Sequence, residues 1–85
     1  MVSLIDHIDD FLTLRSFIGE ECLDSYVYTN LGSDGKNYAI IIQVIDDEKF
    51  WVHVSVDGLI YNRGMEISSL EEFEIFYHQQ IEQHF

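Results

Sequence analysis

The sequence lacks several features that would place it in a specialised class of protein. It contains no proline, so no helix or strand is interrupted by a residue that cannot donate a backbone hydrogen bond. Its one cysteine, Cys22, cannot form an intrachain disulfide, which excludes a disulfide scaffold and favours a reducing compartment. No apolar run reaches the roughly 18 residues of a membrane-spanning helix, and the N-terminus has acids where a signal peptide has basic residues. We therefore expect a cytoplasmic protein with no membrane partner.

Basic residues are scarce as well. Only Arg15, Lys36, Lys49 and Arg63 stand against sixteen acids, which gives a net charge of −12 at pH 7. Direct binding of DNA, RNA or an anionic membrane requires clustered lysine and arginine, so the composition argues against these partners. Self-repulsion at this charge opposes a compact state. Two reasons for the surplus remain open, namely solubility and a basic protein partner with a complementary field.

The residues that are present predict a folded chain. Apolar residues make up 47% and aromatic residues 14% of the 85 positions, too much for a disordered acidic tail. A chain of this length is expected to form one domain over residues 1–85.

Two segments have the periodicity of amphipathic helices. The first covers residues 3–18, with Ser3 as N-cap and Gly19 as the stop signal. The second is the C-terminal segment ISSLEEFEIFYHQQIEQHF, in which Ser69 and Glu72 fit a capping box. Each has one apolar side, so both helices need an apolar surface to cover.

Four segments between the helices have strand character. The predicted strands are residues 23–31, 37–45, 50–56 and 59–62, the last two joined by the hairpin signal Asp57-Gly58. The short connections predict neighbouring antiparallel strands. The sequence thus predicts an α+β fold in two layers: an antiparallel meander of three to four strands, flanked by N- and C-terminal helices on one face, in the order α-β-β-β-β-α.

The other face of this sheet is the first candidate interaction surface. Strict alternation in FWVHVSV, residues 50–56, places Trp51 and His53 on the side opposite Val52 and Val54. Strand 37–45 is apolar on both sides, and an even or odd turn at DDEK decides which of its rows joins Trp51. An exposed apolar patch typically marks an interaction site. The alternative, also open, is that a helix covers this side and buries Trp51.

Motifs for chemistry are absent or incomplete. GSDGK is too short for a phosphate-binding loop, and Asn37 stands where that loop has serine or threonine. His78 could share a helix face with Glu74 and Glu82, but the sequence has no established metal-binding motif. Cys22 follows two acids, an unfavourable setting for a thiolate nucleophile. We expect no catalytic residue, no metal and no cofactor, and hence no enzyme.

The remaining candidates are carboxylates next to the aromatic patch. Helical side chains three and four residues apart stand about 5–6 Å from each other, a spacing that roughly resembles the charges of a nucleic-acid backbone. The predicted partner-binding residues are Asp6, Asp9, Asp10, Asp46, Asp47, Glu48, Trp51, His53, Glu71, Glu72 and Glu74. Trp51 would anchor a partner, and the acids would steer and orient it.

In size, charge and order of elements the chain is similar to small phage-encoded anti-restriction, anti-CRISPR and DNA-mimic proteins. The similarity is one of composition, and it implies an inhibitor that occupies the basic surface of a nucleic-acid-binding protein or nuclease, as an immunity protein does. The alternative is a structural or adaptor module that self-associates through the Trp51 face, with charge serving solubility only. Under that alternative, the expected partner is a second copy of the chain, in a homodimer.

Overall fold

The computed structural model describes residues 3–61 and 63–85. The two helices of these residues are α1 (Leu4–Thr13) and α2 (Leu70–Gln80), and a 3-10 turn, Glu82–His84, follows α2. The strands are β1 (Ile18–Glu21), β2 (Ser25–Leu31), β3 (Asn37–Asp46), β4 (Lys49–Val56), β5 (Leu59–Ile60) and β6 (Met65–Ile67). The predicted α+β class is confirmed, with six strands in the described ranges instead of three to four. Neither helix in those ranges is long and apolar enough to cross a membrane.

The sheet is antiparallel throughout, in the order β1-β2-β3-β4-β5. β6 also pairs with β4, so β5 and β6 form one interrupted edge strand. The register places Ser55 opposite Ile60 but Val52 opposite Met65, so two extra residues bulge out between the two pairings. The predicted strand 59–62 is therefore confirmed at Leu59–Ile60, whereas its last residue, Asn62, lies outside the described residues.

Both helices pack against one face of the sheet. The buried residues of the sheet on this face are Tyr28, Tyr38, Ile40, Ile42, Phe50, Val52, Val54 and Ile67. The helical residues that cover them include Ile8, Phe11, Leu12, Phe73, Phe76 and Tyr77. The Phe11 ring meets Phe73 and Tyr77 edge-on, with centroid distances of 5.7 and 5.2 Å, so the two helices are neighbours. The predicted two-layer arrangement is confirmed.

The first helix is shorter than the periodicity predicted. It ends at Thr13 instead of residue 18, and Ser16 takes a positive φ of 71° as the chain reverses direction. The Phe17 amide donates to the carbonyl of Leu12, which closes the turn and brings the Phe17 side chain into the core. Residues 18–21 then pair with β2, so tertiary pairing outweighs the helical pattern at this point.

Gly19 is part of β1 and is not the helix stop signal. A Cβ built on Gly19 would lie 2.5 Å from Cε2 of Tyr28, so the Tyr28 ring fills the space where a side chain would be. The glycine is needed for close packing in the sheet, and the prediction about its role was wrong.

The helix caps follow the sequence. Ser3 and Asp6 form a complete capping box at the start of α1. At α2 the hydroxyl of Ser69 accepts the Glu72 amide at 3.2 Å, as predicted, while the Glu72 carboxylate accepts from the amide and hydroxyl of Ser68. In a standard capping box this carboxylate would accept from the amide of the N-cap residue, Ser69; here it accepts from the amide of the preceding residue, Ser68.

Candidate functional site

The predicted partner-binding residues occupy three separate places in the fold. Asp6, Asp9 and Asp10 lie on α1, and Glu71, Glu72 and Glu74 lie on α2. Asp46, Asp47 and Glu48 lie at the tip of the β3–β4 hairpin, and Trp51 and His53 lie on β4. Because the helices cover the opposite side of the sheet from Trp51, the helical carboxylates and the tryptophan do not share a surface.

The first surface, which we call the acidic helix face, consists of Asp6, Asp9, Asp10, Glu71, Glu72 and Glu74. The α1 carboxylates follow i, i+3 and i+4 spacing, which sets neighbouring side chains about 5–6 Å apart on a helix. The contacts of Phe11 with α2 hold the two acidic helices next to each other. The arrangement concentrates six carboxylates in one layer of the fold.

Three of these carboxylates are held in place by hydrogen bonds. Asp6 accepts from the hydroxyl of Ser3 at 3.0 Å, and Asp9 accepts from the hydroxyl of Tyr28 at 2.8 Å. The hydrogen bonds that Ser68 donates hold the pKa of Glu72 below its ordinary value, so this side chain stays ionised. The charges are therefore fixed in position before any partner arrives.

The basic residues do not neutralise this surface. Within residues 3–61 and 63–85 the one ion pair joins His78 to Glu82 at 2.8 Å, and no lysine or arginine forms another. The Arg15 guanidinium lies 3.6 Å from the Phe11 ring centroid and donates to the Phe11 carbonyl at 2.9 Å. Its charge is thus engaged by an aromatic ring and a backbone carbonyl, and the carboxylates keep their surplus.

A groove between α1 and β1 extends the acidic region. It has a volume of about 340 Å³, and its lining residues are Ile5, Asp6, Asp9, Gly19, Glu20, Glu21, Tyr26 and Tyr28. Burial, with Glu21 as a smaller cause, raises the pKa of the Tyr26 hydroxyl. Glu20 and Glu21 were not among the predicted site residues, because the sequence placed them after the first helix and did not predict β1, the strand that brings them next to α1.

The second surface, which we call the open sheet face, is the side of the sheet that no helix covers. Its residues are Val27, Thr29, Ala39, Ile41, Gln43, Trp51, His53 and Ser55, with Ile18 and Ile60 at the edges. Trp51 is 38% exposed, and the edge residues Ile18 and Ile60 are 75% and 65% exposed. The register also settles which row of β3 joins Trp51: Gln43 lies opposite Trp51 and Ile41 opposite His53.

Trp51 and His53 are held by the segment that follows β5. Gly64 has a positive φ of 81°, and a Cβ at this position would lie 2.8 Å from the indole nitrogen of Trp51. His53, expected at the surface, is half-buried, and its Nδ1 is enclosed without a hydrogen-bond partner among the described residues. Burial lowers the pKa of His53 from its ordinary value of 6.5, which favours a neutral side chain at pH 7.

A second groove, at the end of the molecule, is lined by residues outside the predicted partner-binding site. It has a volume of about 380 Å³ and is lined in part by Tyr38, Tyr61, Lys36 and His84. His84 stacks on Tyr38 at a centroid distance of 4.8 Å, so the C-terminal turn packs against β3. In the described part of the chain, histidine, cysteine and acidic residues form no group of three or more that could hold a metal ion.

Comparisons of the chain with protein-family models, with curated proteins and with solved structures find no match. Function is therefore inferred from the two surfaces themselves. One has carboxylates, three of them held by hydrogen bonds, and the other has an uncharged centre that no helix covers. These chemistries suit different kinds of contact, since charge steers a partner over a distance whereas apolar area stabilises only what touches it.

Proposed function

We propose that this protein is a non-enzymatic inhibitor that occupies the basic, nucleic-acid-binding surface of a partner protein through its acidic helix face. The observation that supports this most is the acid surplus on two neighbouring helices, where no lysine or arginine among the described residues forms an ion pair with a carboxylate. A surface of this kind competes with phosphates for the lysines and arginines of the partner. The proposal places both proteins in the cytoplasm.

The mechanism is electrostatic competition by a rigid body. The net charge of −12 attracts a basic partner over distances near the Debye length, about 8 Å at physiological salt. The hydrogen bonds that fix Asp6, Asp9 and Glu72 reduce the side-chain entropy lost on binding. Asp10, Glu71 and Glu74, which have no such role in the described structure, provide further acceptors for partner cations. Anti-restriction, anti-CRISPR and nuclease-immunity activities all fit this mode of action.

The proposal is tested by capture followed by competition. The protein is immobilised, bound proteins are eluted with a salt gradient, and each captured protein is purified with its own labelled duplex DNA or RNA. We expect the added protein to displace the nucleic acid, with an affinity that falls steeply as salt rises. Captured proteins that keep their nucleic acid at saturating inhibitor, or binding that salt does not affect, would contradict the proposal.

Two triple variants, each of which removes three negative charges, test which surface binds the partner. Asp10→Asn with Glu71→Gln and Glu74→Gln neutralises three carboxylates of the acidic helix face that have no structural hydrogen bond. Asp24→Asn with Asp47→Asn and Glu48→Gln neutralises three carboxylates outside it. We expect the first set to weaken competition by more than about tenfold and the second set by much less. Equal losses would show that net charge alone matters, and the assignment to the helix face would be wrong.

A further inference from the structure

Neither helix of the described residues covers the open sheet face, and only part of it, at Trp51 and His53, is in contact with Gly64. Its central residues on β2, β3 and β4 are Val27, Thr29, Ala39, Ile41, Gln43, Trp51, His53 and Ser55, none of them lysine, arginine, aspartate or glutamate. The carboxylates that the register places on this side lie at its margins: Glu20 on β1, Glu66 on β6 and Asp46 at the hairpin end of β3. A centre without charged residues and a rim that contains them is the usual anatomy of a protein interface.

We propose that the open sheet face is the interface of a homodimer, in which two copies pack sheet against sheet with their acidic helix faces pointing outward. The proposal is independent of the inhibitor function. A second copy of the chain is the expected occupant for two reasons, the distribution of charge on this face and the area that it offers.

The distribution of charge favours a second copy over a basic partner at this face. A basic partner gains most where carboxylates are dense, and the centre of the open sheet face has none. Two chains of net charge −12 meet instead with the least repulsion where carboxylates are sparse. Lys49, at the hairpin end of the same face, lies opposite Asp46, so this part of the rim has one charge of each sign.

The available area is sufficient for a stable contact. Five strand positions at about 4.8 Å and about seven residues at roughly 3.4 Å describe a face of about 24 by 24 Å. Two such faces bury on the order of 1,200 Å² in total, at the lower end of the range for specific interfaces. Twisted sheets pack face to face with an angle near 30° and about 10 Å between them, so the contact is self-complementary and forms a closed dimer.

The test is the oligomeric state as a function of concentration and salt, by analytical ultracentrifugation. We expect a dimer that strengthens as salt rises, because screening reduces repulsion between like-charged copies. Binding of a basic partner through the acidic helix face changes with salt in the opposite direction. A protein that stays monomeric at all concentrations, or a dimer that weakens as salt rises, would overturn the proposal without affecting the inhibitor function.

The interface is located by matched substitutions. Ile41→Lys places a charge at the centre of the open sheet face, and Ile75→Lys makes the same change at a residue that is 52% exposed on α2. We expect Ile41→Lys to weaken dimerisation by more than about 30-fold and Ile75→Lys to leave it within about twofold. Equal effects of the two, with both proteins folded by circular dichroism, would contradict the assignment.

Trp51 provides a second readout that does not depend on the fold tolerating a buried charge. It is the only tryptophan of the chain, so its emission reports on this face alone. Its fluorescence should shift to the blue as concentration rises through the dimerisation range, because a second copy removes the indole from water. Trp51→Gln should weaken the dimer by at least about tenfold. An emission maximum that stays constant while dimers form would exclude the open sheet face.

Discussion

The two faces of the sheet are built from alternate residues of the same strands but differ in how far they are buried. On β3, Ile40 is fully buried beneath the helices, whereas its neighbour Ile41 is only half-buried on the open sheet face. On β4, Val52 is fully buried and Trp51 is 38% exposed. Neighbouring apolar residues therefore differ in exposure because both helices pack on one side. The apolar residues of the open sheet face are available for a contact outside the chain.

The two outer surfaces of the molecule also differ in how they would bind. The acidic helix face has carboxylates fixed by hydrogen bonds, so its contribution is mainly to steering and orientation. The open sheet face lacks charge at its centre, so its contribution is the removal of apolar area from water. One chain can use both surfaces at once, since they point in opposite directions.

The largest expected effect compares the buried and the open residue of β3. Ile40→Ala should lower the free energy of unfolding by about 2–5 kcal/mol, because it leaves a cavity under the helices. Ile41→Ala should cost only roughly 1 kcal/mol in the monomer, because this side chain already contacts water. Denaturant titration at low protein concentration measures both.

A concentration series sharpens the same comparison. If the open sheet face forms a dimer, the unfolding midpoint of the wild type rises with protein concentration, and Ile41→Ala reduces that rise. Equal losses for Ile40→Ala and Ile41→Ala at low concentration would mean that the second face is buried within the monomer, which would break the comparison.

An intermediate effect is expected at Gly64, which supports the open sheet face. Gly64→Ala should destabilise the protein by about 1–3 kcal/mol, because the residue has a positive φ and its Cβ would lie 2.6 Å from the Val52 carbonyl. Gly58→Ala is the matched control, since Gly58 also has a positive φ but has free space around its Cβ. Its expected cost is about 1 kcal/mol. Trp51 fluorescence should change for Gly64→Ala alone, and a change in both would contradict this explanation.

The smallest effect concerns pH and His53. Because burial lowers its pKa in the folded protein below 6.5, the unfolded chain binds a proton first as pH falls. The contribution of His53 to stability is therefore present above about pH 6.5 and is lost as pH decreases towards the folded-state pKa. His53→Gln should remove this part of the pH dependence, whereas the exposed His7→Gln should retain it. A folded-state pKa of His53 at or above 6.5 by NMR titration would contradict the prediction.

Much of the fold could be predicted because its signals are local. Ser3 with Asp6 and Ser69 with Glu72 mark the helix starts through bonds between residues three apart. Asp57-Gly58 forms its hairpin turn with positive φ at both residues. Alternation in β4 correctly separates the buried valines from Trp51, because strand geometry alone sends neighbouring side chains to opposite faces.

The end of α1 and the strands β1 and β6 could not be predicted in the same way. Leu14 and Ile18 continue the helical spacing, yet both are exposed, at 83% and 75%, because the chain reverses at Ser16 and residues 18–21 pair with the next strand, β2. β6 is only three residues long and follows a bulge, so no alternation is visible in it. The predicted site divides as well: the acids of α1 and α2 lie on the other side of the sheet from Trp51, whereas Asp46, Asp47 and Glu48 lie at the tip of the hairpin that contains it. Their role in binding stays a prediction.

That Trp51 faces away from Val52 and Val54 follows from the sequence alone, because neighbouring residues of a strand point to opposite faces. What lies beside Trp51 depends on how the strands pair in the folded protein. If the whole hairpin kept the register of the Asp46–Lys49 pair, Trp51 would lie opposite Val44. It would then share a face with Ile40 and Ile42. An irregularity between Val44 and Asp46 shifts the register by one residue, so that Gln43 lies opposite Trp51 instead. A shift of one residue exchanges the two faces of a strand, and long-range packing of the helices, which local sequence does not encode, selects the register that buries Ile40 and Ile42.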